Sequence, residues 1–431
     1  MNKLSTIIVK NAPYLLCILT TLLWSLFKLS TGSLLEGPAL SLAQLTGLWG
    51  IALLSWDLVL SARFNFIDRN IGGLDKAYKY HKYVGIFAFV FMLAHPLMLI
   101  LHSFPSWNII SYYIIPSQVW SYNWGMIALW AFTILIVLTI FVKLPYHIWI
   151  VTHRLMNIPF VAVAIHVLTV RAEATSYLPL RVWMILLVVV GIGALVYKQL
   201  LYDRLGSRFH YFVKEIITTD DVSELHLVPK NKKMFFEPGQ FIFINIENSH
   251  LPEEDHPFSI SSSPKDETLR LSIKHLGDYT QKLEYVKPGD EVEVHGPYGQ
   301  LSKEYFRDRK DFAMIAGGIG VAPFLSLIRS DKERGKKDID LFYCTSDRQE
   351  ALYDKELKRL DKKLPNFDYH PHFSEEKGRI SAEIINKECP NLRNRLIFLC
   401  GPRPMIMSLA KQFIDMGIPR RNIIFENFAF K

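Results

Sequence analysis

HKYVGIFAFVFMLAH at residues 81–95 and HRLMNIPFVAVAIH at residues 153–166 each begin and end on histidine within a long apolar run. The first pair is separated by 14 residues and the second by 13. A helix rises about 1.5 Å per residue, so each stretch holds its imidazoles roughly 20 Å apart along a helix axis. Two such stretches side by side form a rectangle of His81, His95, His153 and His166. That spacing suits two haems, one above the other, each held from both sides.

The azimuth is less even than the rise. Fourteen residues at about 100° each leave His95 some 40° from the line of His81, so both face one side. Thirteen residues leave an error of about 140°, more than an ideal helix absorbs. Pro159 lies within that stretch, and a proline kinks or rewinds a helix locally, so an irregularity is predicted there. Ionisable groups at membrane depth are usually functional. His102 and His147 have no partner at matched depth, although His102 falls on the face of His95.

These stretches sit in a half of the chain unlike the other. Through residue 205 there are fourteen Lys and Arg against six acids, net +8, while the remainder carries 35 of each. The basic excess therefore follows membrane topology and gives no reason to expect a nucleic-acid partner. Six runs, near 12–30, 39–62, 82–104, 120–142, 148–170 and 181–202, are long enough to cross a hydrocarbon core that takes about 20 residues. With a cytoplasmic N-terminus, Lys3, Lys10, Arg63, Arg69, Lys76, Lys79, Lys82, Lys143, Arg154, Lys198 and Arg204 all fall inside. Only Lys28, Arg171 and Arg181 fall outside, and 105–119 is uncharged. This positive-inside pattern predicts an integral protein of the cell membrane with six spans and both termini cytoplasmic. His81 then pairs with His153 at the inner side, and His95 with His166 at the outer side. Bis-imidazole ligation fills both axial positions of a haem b and suits electron transfer.

Beyond residue 205 the pattern becomes short and alternating, with strands expected at 211–218, 224–228, 240–246, 268–274 and 291–295. Glu237-Pro238-Gly239 and Lys287-Pro288-Gly289-Asp290 separate them as turns, which predicts a small antiparallel barrel. Within it, His256-Pro257-Phe258-Ser259 presents a rigid proline, a flat ring and a hydroxyl suited to a flavin. Lys274, Gly277 and Thr280 open a helix expected over 280–285, as a pyrophosphate seat would require. Strands follow at 311–316, 340–345, 367–370, 395–400 and 422–425, with helices between them, an α/β layer. Gly317-Gly318-Ile319-Gly320-Val321-Ala322-Pro323 turns from strand into helix, where phosphates approach the backbone. Cys400-Gly401-Pro402 ends another strand. The four cysteines (Cys17, Cys344, Cys389, Cys400) have no CxxC spacing, which argues against iron–sulfur or zinc centres and a disulfide framework.

In this order the motifs resemble those of the NADPH oxidases and ferric reductases, most of all their compact bacterial members. The resemblance runs from about residue 75 to the end; the first two spans match only in kind. It implies a multi-domain fold: an all-α six-helix di-haem membrane bundle (1–205), an antiparallel β-barrel FAD domain (206–305) and an α/β parallel-sheet NAD(P)H domain (306–431). It implies that His256, Pro257, Phe258, Ser259, Lys274, Gly277 and Thr280 bind FAD. Gly317, Gly318, Gly320, Pro323, Gly401 and Pro402 would bind the dinucleotide. Cys400 would lie at the hydride-transfer position and Phe428 would stack on the flavin. The chain departs from the family where an arginine clamps the 2′-phosphate of NADPH. Ser346 stands there beside Asp347; Arg348 would substitute for it, which with the family resemblance keeps NADPH the expected donor, while an adjacent acid suits a ribose hydroxyl and leaves NADH open.

The function expected is electron transfer from cytoplasmic NAD(P)H through FAD and two haems b to an outside acceptor, dioxygen giving superoxide. No obligatory regulatory subunit is expected. A ferric, other metal or flavin reductase would use the same path, with outer acids to hold Fe(III). Only Glu36 and Glu173 are available for that. A haem-binding sensor or transporter with a nucleotide-reading domain is the rival of another class, and the flavin motifs argue against it.

Overall fold

The computed structural model describes residues 3–33, 37–202, 208–219, 221–307, 310–330, 337–389 and 391–425, less the side chains of Lys3, Asp75, Tyr146, His147, Glu173, Ala174 and Arg307. The chain divides into two compact units, Met1–Arg204 and Leu205–Lys431.

The first unit is helical: α1 (Lys3–Thr31), α2 (Pro38–Ser61), α3 (Asn65–Ile71), α4 (Leu74–Ser103), α5 (Trp107–Ile114), α6 (Trp120–Phe141), α7 (Tyr146–Arg154), α8 (Asn157–Thr169), α9 (Glu173–Ser176) and α10 (Leu178–Val196), which runs on as a π-helical turn, Tyr197–Leu201. Among the described residues six stretches are long and apolar enough to cross a membrane: Leu4–Thr31, Pro38–Ser61, Lys76–Ser103, Trp120–Phe141, Ile148–Thr169 and Leu178–Leu201. The first begins earlier than the hydropathy suggests. Asn11 does not end it, because its amide turns back to the Ile7 carbonyl (2.8 Å). Lys28, counted above with the outer-face bases, is buried in α1, and among the described residues its Nζ has no hydrogen-bond partner.

The fifth stretch is broken, but not at Pro159 itself. The interruption falls at Leu155 and Met156, whose ψ values of −14° and −15° leave the α-helical range. Pro159 has no N–H for the Leu155 carbonyl, and its ring crowds that oxygen. Ile158 N–H donates to Leu155 O instead (3.0 Å), and Met156 N–H to His153 O (3.1 Å). Bonds of this i→i−3 kind advance about 120° per residue rather than 100°, the direction needed to bring His166 round towards His153.

The second unit pairs two sheets. Strands β1 (Arg208–Thr218), β2 (Val222–Pro229), β3 (Phe241–Glu247), β4 (His256–Ser259), β5 (Leu269–Lys274) and β6 (Glu291–Tyr298) form an antiparallel sheet in the order β4-β3-β6-β1-β2-β5. A bridge between Ile260 and Leu271 joins its two edges, so the sheet is a nearly closed barrel. The inward residues alternate, as Leu225 and Leu227 on β2 or Val292 and Val294 on β6. Both Pro-Gly turns form as read: Gln240 N–H bonds to Glu237 O (3.3 Å) and Asp290 N–H to Lys287 O (3.1 Å). Gly239 and Gly289 have φ of +84° and +98°, the value a type II turn requires at that position.

Strands β7 (Phe312–Gly317), β8 (Ile339–Thr345), β9 (Phe367–Phe373), β10 (Leu396–Cys400) and β11 (Ile423–Phe425) form a parallel sheet in the order β11-β10-β7-β8-β9. Every residue of β7, β8 and β10 is buried, as expected of strands covered on both faces. The two lobes are tied by polar contacts. Arg329 donates to Ser261 O (2.6 Å) and makes two bonds to Glu356, while Ser326 Oγ donates to Ser262 O (2.7 Å). Tyr353 OH donates to Glu224 Oε2 (2.6 Å) and meets Ser272 Oγ.

Arg329→Met removes the charged bonds that reach both Ser261 and Glu356. It should cost about 2 kcal/mol, roughly 4–8 °C in a thermal melt. Burial by itself raises the Glu224 carboxyl, but its bonds with Tyr353 and His226 outweigh burial and leave it below the ordinary carboxylate value. A depressed acid adds stability above its unfolded value of about 4.3, lost as pH falls through the lower folded value. Glu224→Gln should therefore make the loss of stability below about pH 4 less steep, as followed by acid unfolding.

Candidate functional site

In the first unit, α4 carries His81 near its start and His95 fourteen residues on, while His153 lies in the last turn of α7 and His166 in the last turn of α8. The His81 and His153 ring centres are 5.9 Å apart and those of His95 and His166 are 6.5 Å apart. A first-row metal–imidazole bond is about 2.0 Å, so two rings sharing one ion have centres roughly 6 Å apart. Both pairs meet that distance. Among the described residues no group of three or more His, Cys, Asp or Glu could hold a metal ion. Each pair thus offers two imidazoles and would suit a group that brings its remaining ligands with it, as haem does.

The way the rings are held supports this fit. His95 Nδ1 lies 2.8 Å from Ala43 O, and His166 Nδ1 2.7 Å from Ser121 O. With Nδ1–H donated to a carbonyl, the other ring nitrogen keeps its lone pair for a ligand. Four residues after each carbonyl stands a glycine. A Cβ on Gly47 would come within 2.8 Å of His95 Nδ1, and one on Gly125 within 3.1 Å of His166 Nδ1. The missing side chains are what let each ring reach the carbonyl. His81 Nδ1 lies 2.9 Å from Asp57 Oδ1 and 3.3 Å from Asp57 O. His153 stacks on Trp149, with centres 5.0 Å apart and planes at 9°, and its Nδ1 is buried with no hydrogen-bond partner among the described residues. His102 lies against Gly37, before the start of α2; the His147 side chain is outside the described residues.

Sequence reasoning missed Asp57, Gly47, Gly125 and Trp149. For Asp57 a signal was present, since it is an acid inside an apolar span. The glycines gave none, because their role depends on which helix lies opposite.

In the second unit, His256 to Ser259 form β4, paired with Phe241 to Ile244 of β3. Pro257 is tolerated there because β4 is an edge strand. The His256 ring stacks on Tyr279 with centres 3.7 Å apart, which brings this motif against the 274–280 motif. Lys274 ends β5, with Nζ 3.8 Å from Glu350 and 3.9 Å from Asp221. The expected helix at 280–285 is instead a short turn of helix, Asp278–Gln281, followed by a 3-10 turn, Lys282–Tyr285. The Thr280 hydroxyl is what starts it early, accepting from Leu276 N–H (2.9 Å) and Gly277 N–H (3.0 Å). Space beside Gly277 is open, with nothing within 4 Å of where a Cβ would stand.

Gly317 ends β7, Gly318 to Val321 form a 3-10 turn, and Pro323 lies in the first turn of the helix Ala322–Ser330. Cys400, buried, ends β10, which pairs with β7 in parallel. From β7 the chain passes to β8 and β9 on one side, then returns to β10 and β11 on the other. The glycine turn and Cys400-Gly401-Pro402 therefore meet at the switch point of the sheet, where open α/β sheets bind ligands. Their backbones touch. A Cβ on Gly320 would fall 2.5 Å from Cys400 O, and one on Gly401 2.9 Å from Gly317 Cα. The turn Gly318–Val321 also lies against β5, next to the Lys274 motif.

Arg348 is exposed and paired with Glu376, Nε to Oε1 2.8 Å and Nη2 to Oε2 3.2 Å. Asp347 Oδ1 accepts from Gln349 and Glu350 N–H (2.7 and 2.9 Å), closing the loop after β8. Phe428 lies outside the described residues.

Family models match three segments of the chain. Residues 46–164 match a ferric reductase like transmembrane component, 212–302 an FAD-binding domain and 314–411 an oxidoreductase NAD-binding domain. The sulfhydrogenase 2 subunit gamma of Pyrococcus furiosus is 26% identical over 227 residues, 48% of this chain and 77% of that one. The reductase component of propane 2-monooxygenase of Rhodococcus jostii is 28% identical over 229 residues, 49% of this chain and 60% of that one. The chain thus spans about three fifths of the latter's length. A flavohemoglobin from Malassezia yamatoensis, solved with bound FAD and heme, is similar in fold at a TM-score of 0.51, with 18% identity over 91% of this chain and 96% of that one.

Gly320→Ala would force the glycine turn after β7 away from the end of β10. It should raise KM for NAD(P)H several-fold and lower stability by about 1–3 kcal/mol, as read by steady-state kinetics and thermal melting.

Proposed function

The chain has the architecture of the NADPH oxidase and ferric reductase family, an oxidoreductase with a membrane domain and FAD- and NAD-binding domains, and on that premise we propose that it moves electrons from cytoplasmic NAD(P)H across the cell membrane to dioxygen, giving superoxide. One observation carries the reading: two histidine pairs on α4 and α7–α8, each about 6 Å between ring centres, with three of the four rings donating Nδ1 to an oxygen. When bound, FAD takes a hydride from NAD(P)H and releases its electrons singly, and haems b carry them one at a time.

The residues supply binding and alignment. His81 with His153, and His95 with His166, would hold one haem b each. Held by two imidazoles each, the haems would be suited to passing electrons on rather than to binding an acceptor at the metal. Residues 1–205 would be the di-haem domain, 206–305 the FAD domain and 306–431 the NAD(P)H domain. His256, Phe258, Ser259, Lys274, Gly277 and Thr280 would seat FAD. Gly317, Gly318, Gly320 and Pro323 would leave backbone room for the dinucleotide phosphates, with Cys400 at the hydride position and Phe428 on the flavin. The bases at cytoplasmic helix ends support an orientation with both termini inside.

Purified protein should carry two b-type haems per chain, and His95→Ala or His166→Ala should remove one of them; haem content unchanged in both variants would reject the ligand assignment. Reduction of cytochrome c should be abolished by superoxide dismutase. A signal that survives the dismutase would favour a metal or flavin reductase. Arg348 is engaged by Glu376, so freeing it should improve NADPH use: Glu376→Gln should raise the NADPH-to-NADH ratio of kcat/KM about tenfold, and Arg348→Ala should lower it.

A further inference from the structure

The two histidine pairs are held by different chemistry. Both rings of the His95–His166 pair donate to backbone carbonyls, of Ala43 and Ser121. A carbonyl orients a ring but carries no net charge. In the His81–His153 pair, His81 Nδ1 lies 3.3 Å from the Asp57 backbone carbonyl and, in addition, 2.9 Å from the Asp57 carboxylate, and among the described residues His153 Nδ1 has no hydrogen-bond partner. Asp57 is buried within α2, and Gly85 of α4 makes room for it, since a Cβ there would come within 3.2 Å of Oδ2. Among the described residues its one ion-pair partner is His81.

A buried acid in an apolar span is costly, and such a residue is retained for function by default. An imidazole that donates to a carboxylate is a more basic ligand than one that donates to a carbonyl. Basic ligands and a nearby negative charge both favour the higher oxidation state of the metal. Little water or salt screens the charge at that depth.

We propose that Asp57 gives the electron path its direction, by holding the haem at His81–His153 at a lower reduction potential than the haem at His95–His166. This rests on the reading of the pairs as haem ligands. In the internal step one electron leaves the first haem and one arrives at the second. No bond or proton changes place, so the difference in potential alone sets the equilibrium. The first pair lies at the end of the bundle where α4 begins, which by alternation of the six spans is the end from which the chain continues past α10. Electrons entering there run downhill towards the second pair.

Asp57→Asn keeps the size of the side chain and the backbone carbonyl that accepts from His81, and removes the charge. Spectroscopic redox titration of the full-length protein should show the lower of two midpoints rising while the higher stays in place. The shift should correspond to at least a tenfold loss in the internal equilibrium, about 59 mV for one electron. Two haems present with both midpoints unchanged, or movement of the higher one alone, would overturn the proposal. His166→Ala gives a second measurement that does not depend on the Asp57 variant. The single haem left should titrate at the lower midpoint, and titration at the higher one would also overturn the proposal. Wild-type protein with fewer than two b-type haems would instead reject the haem reading itself.

Discussion

An imidazole at membrane depth has two nitrogens and little water to satisfy either. One must be tied to the protein if the other is to be held out for a ligand at a fixed angle. In a helical bundle the oxygens within reach are main-chain carbonyls already bonded along their own helix, and a carbonyl has a second lone pair to share. Reaching it requires that the residue one turn on have no side chain. Gly47 above Ala43 and Gly125 above Ser121 meet that condition from two different helices. The packing of α2 against α4, and of α6 against α8, follows from the need to bring these carbonyls to the rings.

The same demand accounts for the interrupted fifth span. Thirteen residues cannot align two histidines on an ideal helix, and Pro159 frees the Leu155 carbonyl from the regular ladder. Ile158 takes that carbonyl over with an i→i−3 bond, so the chain rewinds without leaving the acceptor unpaired. The irregularity lies four residues before the proline because the proline acts on the carbonyl of that earlier turn.

In the second unit the corresponding constraint is backbone contact. Gly317, Gly320 and Gly401 allow the ends of β7 and β10 to touch, and a Cβ at any of them would collide. That contact makes the floor of the switch point. It lies against β5, whose end carries Lys274, so residues from three separated motifs converge within one unit. The polar bonds of Arg329, Ser326 and Tyr353 hold the two lobes that supply them.

Much of this was legible in the chain itself. Apolar runs, charge bias and period changes determine six spans, a barrel and a parallel sheet, because each is a local property of 10 to 25 residues. Rise and turn per residue determine that the four histidines make two pairs, and that the span with Pro159 cannot be regular. Only the tertiary structure decided how the rings are held: which glycine faces which histidine, that Asp57 meets His81, and that His153 rests on Trp149. It also decided that Arg348 is engaged by Glu376 and that Lys28 is buried. These depend on side chains from helices or loops distant in sequence meeting at one depth and one azimuth. An azimuth is set by packing against neighbours, which no local period records.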